Sequence, residues 1–213
     1  GQLTCEAGVL LRDIQQLCVP RGWMLPVTPG TQYVTVGGAI ANDVHGKNHH
    51  DSGTFGPHVT RLKLKVADGR IVECGPDLER DLFRATVGGM GLTGHILEVE
   101  FGLQRVPSPW ILQETERAEN IDVFVEKLKQ AAAKFPMTLG WIDCLSQGKN
   151  LGRGIVMRGR WAEAHEAPPY VPDEPRRFRF PFEAPGFLLN RLTVSAFNTT
   201  YFHLQPNRVT TKI

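Results

Sequence analysis

No apolar run in this sequence approaches the roughly 20 consecutive residues that a membrane-spanning helix needs. An excess of one charge is missing too: 24 Lys and Arg stand against 22 Asp and Glu in 213 residues, a formal net charge of +2. So even a balance leaves no electrostatic footprint for nucleic acid or for an anionic membrane surface. The one local cluster, Arg176, Arg177 and Arg179, reads as a solvated loop. Cysteine is sparse. Cys5, Cys18, Cys74 and Cys144 lie far apart without CxxC spacing, which suggests neither a zinc ribbon nor a disulfide framework and fits a reducing compartment; a cytoplasmic location is expected, with a periplasmic or membrane-peripheral one as the alternative. An initiator Met is also lacking: the chain opens on Gly1 and runs into a strand-like segment, as expected of a piece cut from a longer protein.

What is present is apolar content sufficient to bury a core in one large or two small domains. Residues 3–6 read as a strand and 8–18 as an amphipathic helix, with Val9, Leu10, Ile14 and Leu17 near helical spacing. Pro20 and Gly22 end it, and 23–27 looks extended. Residues 62–66 and 70–74 bracket an Asp68-Gly69 turn as a hairpin. A helix is expected at 78–86 and a strand at 96–103. Pro107 and Pro109 then break the texture and mark a domain boundary. Beyond it, strands are expected at 110–115, 141–145 and 154–160, and a helix at 120–133 opened by Asn120 as N-cap. Residues 167–185, dense in Pro and charge, read as a long loop; 187–203 is apolar and aromatic and leaves its final strands without an evident partner.

Three features could carry chemistry. In the first, residues 35–42, the pair Gly37-Gly38 lets the backbone approach a ligand and turn its N–H groups toward an anion, with a helix start just after. A tight turn where two backbones pack explains the same residues, and the pair has neither GxGxxG nor GK[ST] spacing. The second, residues 43–51, holds three histidines and two carboxylates. His45 and His49 at i, i+4 would share a helix face as metal ligands do, but Gly46 and Asn48 disfavour that helix. A loop lining the same ligand as the glycine pair fits better. The third, residues 85–94, has four glycines in seven residues, read either as a second ligand contact or as tight packing.

The order Pro29-Gly30-Thr31, Val34-Thr35-Val36-Gly37-Gly38-Ala39, His45-Gly46-Lys47-Asn48-His49-His50, Phe55-Gly56, Ala67-Asp68-Gly69 and Ala85-Thr86-Val87-Gly88-Gly89 resembles the FAD domain of p-cresol methylhydroxylase/vanillyl-alcohol oxidase (PCMH/VAO) type flavoproteins. Within them, the His-Gly-Lys-Asn-His-His run is similar to the decaprenylphosphoryl-β-D-ribose 2′-oxidase group. The similarity is close over residues 7–106 and loose beyond. It implies an α+β fold: the second half of a PCMH-type FAD-binding domain over 1–106 and the start of an α+β substrate domain over 107–213. It also implies FAD as cofactor, held by Gly30, Thr35, Val36, Gly37, Gly38, Asn42, Asp43, Val44 and His45, with a later backbone contact at Ile96.

By the same resemblance His45 and Lys47 lie nearest the flavin ring and the substrate, donating hydrogen bonds to developing negative charge or to a substrate alcohol or phosphate. The implied reaction oxidises the CH–OH group of a sugar, a polyol or a polyprenyl-phosphate pentose by hydride transfer to FAD. No metal and no nucleic acid is expected. The family's Arg-Gly-x-Gly-x-Ser-like loop, which grips the pyrophosphate from the other side, is missing, so the isolated chain is expected to hold FAD weakly. The alternative is a metal-dependent hydrolase built on His45, His49 and His50.

Overall fold

The structure, a computed structural model, describes residues 1–170, 172, 185–206 and 209–212. The Arg176, Arg177 and Arg179 cluster, and most of the loop expected at 167–185, lie outside the described residues. The chain forms two compact units, Gly1–Pro109 and Trp110–Ile213. Each combines antiparallel sheet with helices, an α+β arrangement.

In the first unit, β1 (Gln2–Glu6), β3 (Val59–Lys65), β4 (Ile71–Cys74) and β5 (His95–Gly102) form an antiparallel sheet in the order β1-β5-β3-β4, while β2 (Trp23–Met24) pairs with β6 (Gln104–Arg105). Alternation explains its two faces. Leu62, Leu64, Val99 and Phe101 are buried, while Arg61 on the other face pairs with Glu73, Glu98 and Glu100. The buried face packs on helix α1 (Leu11–Cys18), which buries Leu11, Ile14 and Cys18, and on α2 (Val36–Ala41). Phe55 and Phe101 meet at the centre with ring centroids 5.3 Å apart.

α1 begins at Leu11, later than its hydrophobic pattern suggests. Its preceding residues are engaged elsewhere: Leu10 bridges to Thr35, and the Val9 carbonyl accepts from Val36. The β3–β4 hairpin turns where expected, with Gly69 at φ +87° and the Asp68 carboxylate accepting from the Arg70 amide. Two short helices follow from the middle of the unit, α3 (His49–Ser52) and α4 (Arg80–Thr86).

In the second unit, β7 (Ile111–Ala118), β8 (Met137–Ile142), β9 (Gly154–Trp161) and β10 (Thr210–Lys212) form an antiparallel sheet ordered β10-β7-β9-β8. Helix α5 (Ile121–Ala132) lies on it through Phe124 and Ala131, and Asn120 caps it by accepting from the Val123 amide at 3.0 Å. Two expectations change here. The strand expected at 141–145 ends at Ile142, because Asp143 turns inward: its carboxylate accepts from Asn198, Arg153 and the Leu145 amide. The aromatic stretch at 187–203 is mostly helix α6 (Arg191–Leu204), started by an Asn190/Thr193 capping box. The final strand does have a partner, since β10 pairs with β7. No described helix is long and apolar enough to cross a membrane.

Candidate functional site

The glycine pair lies inside the first turn of α2 rather than ahead of it. Thr35 caps the helix, its Oγ1 accepting from the Gly38 amide at 3.1 Å. The Val36 amide donates to the Val9 carbonyl and the Gly37 amide to the Ala7 carbonyl, each at 2.9 Å. All three amides therefore already have acceptors within the chain. The glycine at 37 is needed for a different reason: a Cβ there would stand 2.9 Å from the Cβ of Ala7. Ala7 in turn donates its amide to the Leu97 carbonyl at 2.9 Å, which joins the glycine pair to the strand that carries Ile96. Ile96 stands opposite Leu64 with its side chain against the first core, as Val36 does from complete burial. Only their main chains are left to face a ligand.

The two glycine-rich segments meet. The Gly88 amide donates to the Ile40 carbonyl at 3.0 Å and the Met90 amide to the Ala41 carbonyl at 2.8 Å, so the second turn closes the C-terminal end of α2. Met90 at φ +55° and Asp43 at φ +40° are left-handed without being glycine. Asp tolerates this through local hydrogen bonding, and Asp43 Oδ1 accepts from the Gly56 amide at 2.8 Å. Met90 has no such compensation from its side chain, a strain on the order of 1–3 kcal/mol. Asn42 is exposed, with Nδ2 donating to the Gly38 carbonyl at 2.8 Å, and Val44 is half-buried against the core.

Residues 45–48 form a rim on which His45 and Lys47 are exposed. Gly46 lies against the backbone of Thr28, where an added Cβ would come within 2.4 Å of the carbonyl oxygen. This contact sets Lys47 beside the loop that carries Gly30. Lys47 is exposed and makes no hydrogen bond or ion pair among the described residues. His45 bridges to Thr54 and presents an exposed ring, 5.4 Å from that of His49 in an edge-on arrangement. The amides of Gly30, Thr31 and Gln32 donate to no acceptor among the described residues. Asn48 alone points inward: it is 5% exposed, Nδ2 donates to the Pro26 carbonyl at 2.7 Å, and Oδ1 accepts nothing among the described residues. An unfilled buried acceptor costs about 1–3 kcal/mol.

The amides of Val36, Gly37 and Gly38 are engaged within the chain, while those of Gly30, Thr31 and Gln32 have no acceptor among the described residues. Among the described residues, the amides of 30–32 and the Lys47 ammonium are without hydrogen-bond partners, and the Gly46–Thr28 contact joins the two segments that carry them. Two residues outside the expected set shape the site. Ala7 acts through main-chain atoms that no side-chain pattern announces, and Asn48 acts through a carbonyl 22 residues earlier. Among the described residues, no three His, Cys, Asp or Glu side chains converge where a metal ion could sit, so the hydrolase alternative finds no ligand set.

Residues 1–75 match the family described as FAD binding domain. Over 180 residues, 83% of this chain, the sequence is 36% identical to decaprenylphosphoryl-beta-D-ribose oxidase of Mycolicibacterium smegmatis, of which the match covers 39%. The similarity thus runs well past residue 106. An uncharacterised protein of Streptomyces coelicolor is 35% identical over 177 residues, 83% of this chain and 48% of that protein. L-gulonolactone oxidase of Mus musculus is 34% identical over 134 residues, 59% of this chain and 29% of that enzyme. The chain spans less than half the length of these relatives.

Proposed function

We propose that this chain, which matches an FAD binding domain over residues 1–75 and is similar to FAD-linked oxidases, is part of a flavin-dependent oxidoreductase that oxidises a CH–OH group of a polyprenyl-phosphate pentose. When bound, FAD supplies the acceptor for the hydride that leaves the carbinol carbon. Lys47 offers a compact cation to the substrate phosphate or to negative charge developing at the ring, and among the described residues no ion pair competes for it. His45 sits on the same rim and can donate to, or take a proton from, the substrate hydroxyl. Gly30, Thr31 and Gln32 would hold the pyrophosphate through their amides, with Asn42, Asp43 and Val44 shaping the wall beside it.

The observation that supports this reading is the Gly46–Thr28 contact, which joins the segment of Lys47 to that of residues 30–32, both without hydrogen-bond partners for these groups among the described residues. The pentose assignment is supported by the 36% identity to the mycobacterial oxidase; an aldonolactone or free polyol is the second reading, favoured by the match to L-gulonolactone oxidase. The test is anaerobic bleaching of the flavin band in the FAD-loaded protein. A short-chain polyprenylphosphoryl-β-D-ribose is compared with L-gulono-1,4-lactone and a free pentitol, in wild type and in His45→Ala and Lys47→Ala. Bleaching by the phosphoryl pentose alone, slowed by both substitutions, is expected. Equal rates in all three proteins would remove His45 and Lys47 from the site, and bleaching by the lactone alone would reassign the substrate.

A further inference from the structure

We propose that Asn48 is the positioning residue of this site, holding His45 and Lys47 at a fixed height over the segment that carries Gly30. The inference rests on the reading of His45 and Lys47 given above. Lys47 and His49 on either side of Asn48 are exposed, yet Asn48 is 5% exposed. An Asn at the start of a helix ordinarily caps it. Asn48 precedes α3 but its side chain makes no capping bond; the carbonyl, not the carboxamide, accepts from Asp51 and Ser52. Instead Nδ2 crosses to the Pro26 carbonyl at 2.7 Å.

Which end of the carboxamide faces Pro26 is fixed by chemistry, because a carbonyl oxygen only accepts and Nδ2 is the only donor in the Asn side chain. Oδ1 is therefore the end left without a partner among the described residues. Packing does not explain an Asn here, since an apolar side chain of similar size would fill the slot without a buried, unfilled acceptor. What the Asn adds is one donor aimed at Pro26. With Gly46 seated on Thr28, that bond makes a second point of attachment between segments 26–28 and 46–48. Two points fix an orientation where one leaves a pivot, and the residues between and beside them are His45 and Lys47.

The test uses Asn48→Leu, which keeps the branched shape with the same number of side-chain heavy atoms and removes both polar ends, and Asn48→Asp, which keeps the shape but cannot donate to Pro26 when ionised. Amide hydrogen exchange is followed in the chain without cofactor, with the β3 and β5 amides as the folding control. Exchange of the Ser52 and His49 amides is expected to rise about tenfold, the equivalent of one lost hydrogen bond, while the sheet is unchanged. In the FAD-loaded protein, kcat for the substrate identified above is expected to fall about 10- to 100-fold, with FAD content and KM little altered. Both variants should show these effects alike; a side chain that merely filled space would leave Leu close to wild type in exchange and in kcat.

Unchanged exchange at 49 and 52 in both variants overturns the proposal. So does looser exchange with undiminished kcat when His45→Ala and Lys47→Ala do slow turnover. If those two substitutions leave turnover intact while exchange loosens, the reading of His45 and Lys47 fails, and with it the positioning role; only the attachment of Asn48 to Pro26 survives.

Discussion

The Gly37 amide donates to the Ala7 carbonyl at 2.9 Å, and the two backbones lie so close that a Cβ on Gly37 would stand 2.9 Å from that of Ala7. Two effects oppose each other in Gly37→Ala. Replacing Gly inside a helix gains about 1 kcal/mol, while crowding a packed contact costs about 1–3 kcal/mol. Since the Ala7 carbonyl oxygen also lies 3.2 Å from the new atom, crowding should win and the variant should unfold at lower urea. A raised midpoint would show that the segment gives way.

Gly46→Ala is expected to be worse. Its three nearest neighbours are the oxygen, carbon and nitrogen of Thr28, all main chain, at 2.4, 2.6 and 2.9 Å. No side chain can rotate aside, so the rim must lift away from Thr28. Flavin affinity measured by equilibrium titration should fall together with stability, in contrast to Gly37→Ala, which should reduce stability first. Wild-type affinity in Gly46→Ala would remove the Gly46–Thr28 contact from the account of the site.

Acid should loosen the second unit in a defined window. Burial pushes the Asp143 carboxyl up, but donation from Asn198, Leu145 and Arg153 together with the Arg153 charge outweighs it, holding the group below the ordinary carboxylate value. Glu116 moves the same way, burial opposed and overcome by Lys127 and Arg158. Both bind a proton less readily folded than unfolded. Their stabilisation is therefore complete above about pH 4–4.5, the unfolded values, and is lost as pH falls through the lower native ones. Urea midpoints of wild type should drop more steeply below that pH than those of Asp143→Asn. Asp143→Ala, which leaves Arg153 at 12% side-chain exposure without its carboxylate, should cost about 3–5 kcal/mol at neutral pH.

The four thiols should separate by reactivity. Burial, helped by the charge of Glu98, pushes Cys5 up to about 11. Burial also raises Cys18 against the pull of Arg21, and raises Cys74 with Glu79 adding to it. Cys144 alone is exposed. A thiolate-selective reagent at neutral pH should titrate one thiol quickly and the remaining three only on unfolding. Because the native Cys5 thiol holds its proton more tightly than the unfolded one, its contribution to stability is lost as pH rises from the ordinary thiol value toward 11. Rapid reaction at Cys5 or Cys74 in the native chain would contradict this order.

Local signals were legible where a few neighbouring residues decide the outcome. Asp68-Gly69 sufficed for the hairpin, and Asn120 with the apolar spacing after it sufficed for α5. Partners far along the chain were not legible. β8 stops at Ile142 because Arg153 and Asn198 draw Asp143 inward, and nothing in residues 137–145 contains that fact. The stretch at 187–203 was read by its aromatics, although Asn190 and Thr193 carry a helix start in an unfamiliar form of the capping box. At the candidate site, the glycine pair suggested free amides. Whether those amides are free depends on Ala7 and Val9, nearly thirty residues earlier.

The bonds that tie Ala7 to Gly37 and Leu97, and Gly88 and Met90 to Ile40 and Ala41, all run from main chain to main chain. Such a framework is indifferent to most side chains it carries and intolerant only where an added atom would collide. A saturating mutational scan of the first unit should therefore show broad tolerance broken by narrow gaps at positions such as 37 and 46. A wall built in this way would persist as a shape through long sequence drift, while the exposed side chains at 45 and 47 remain open to exchange between the fixed points at 46 and 48.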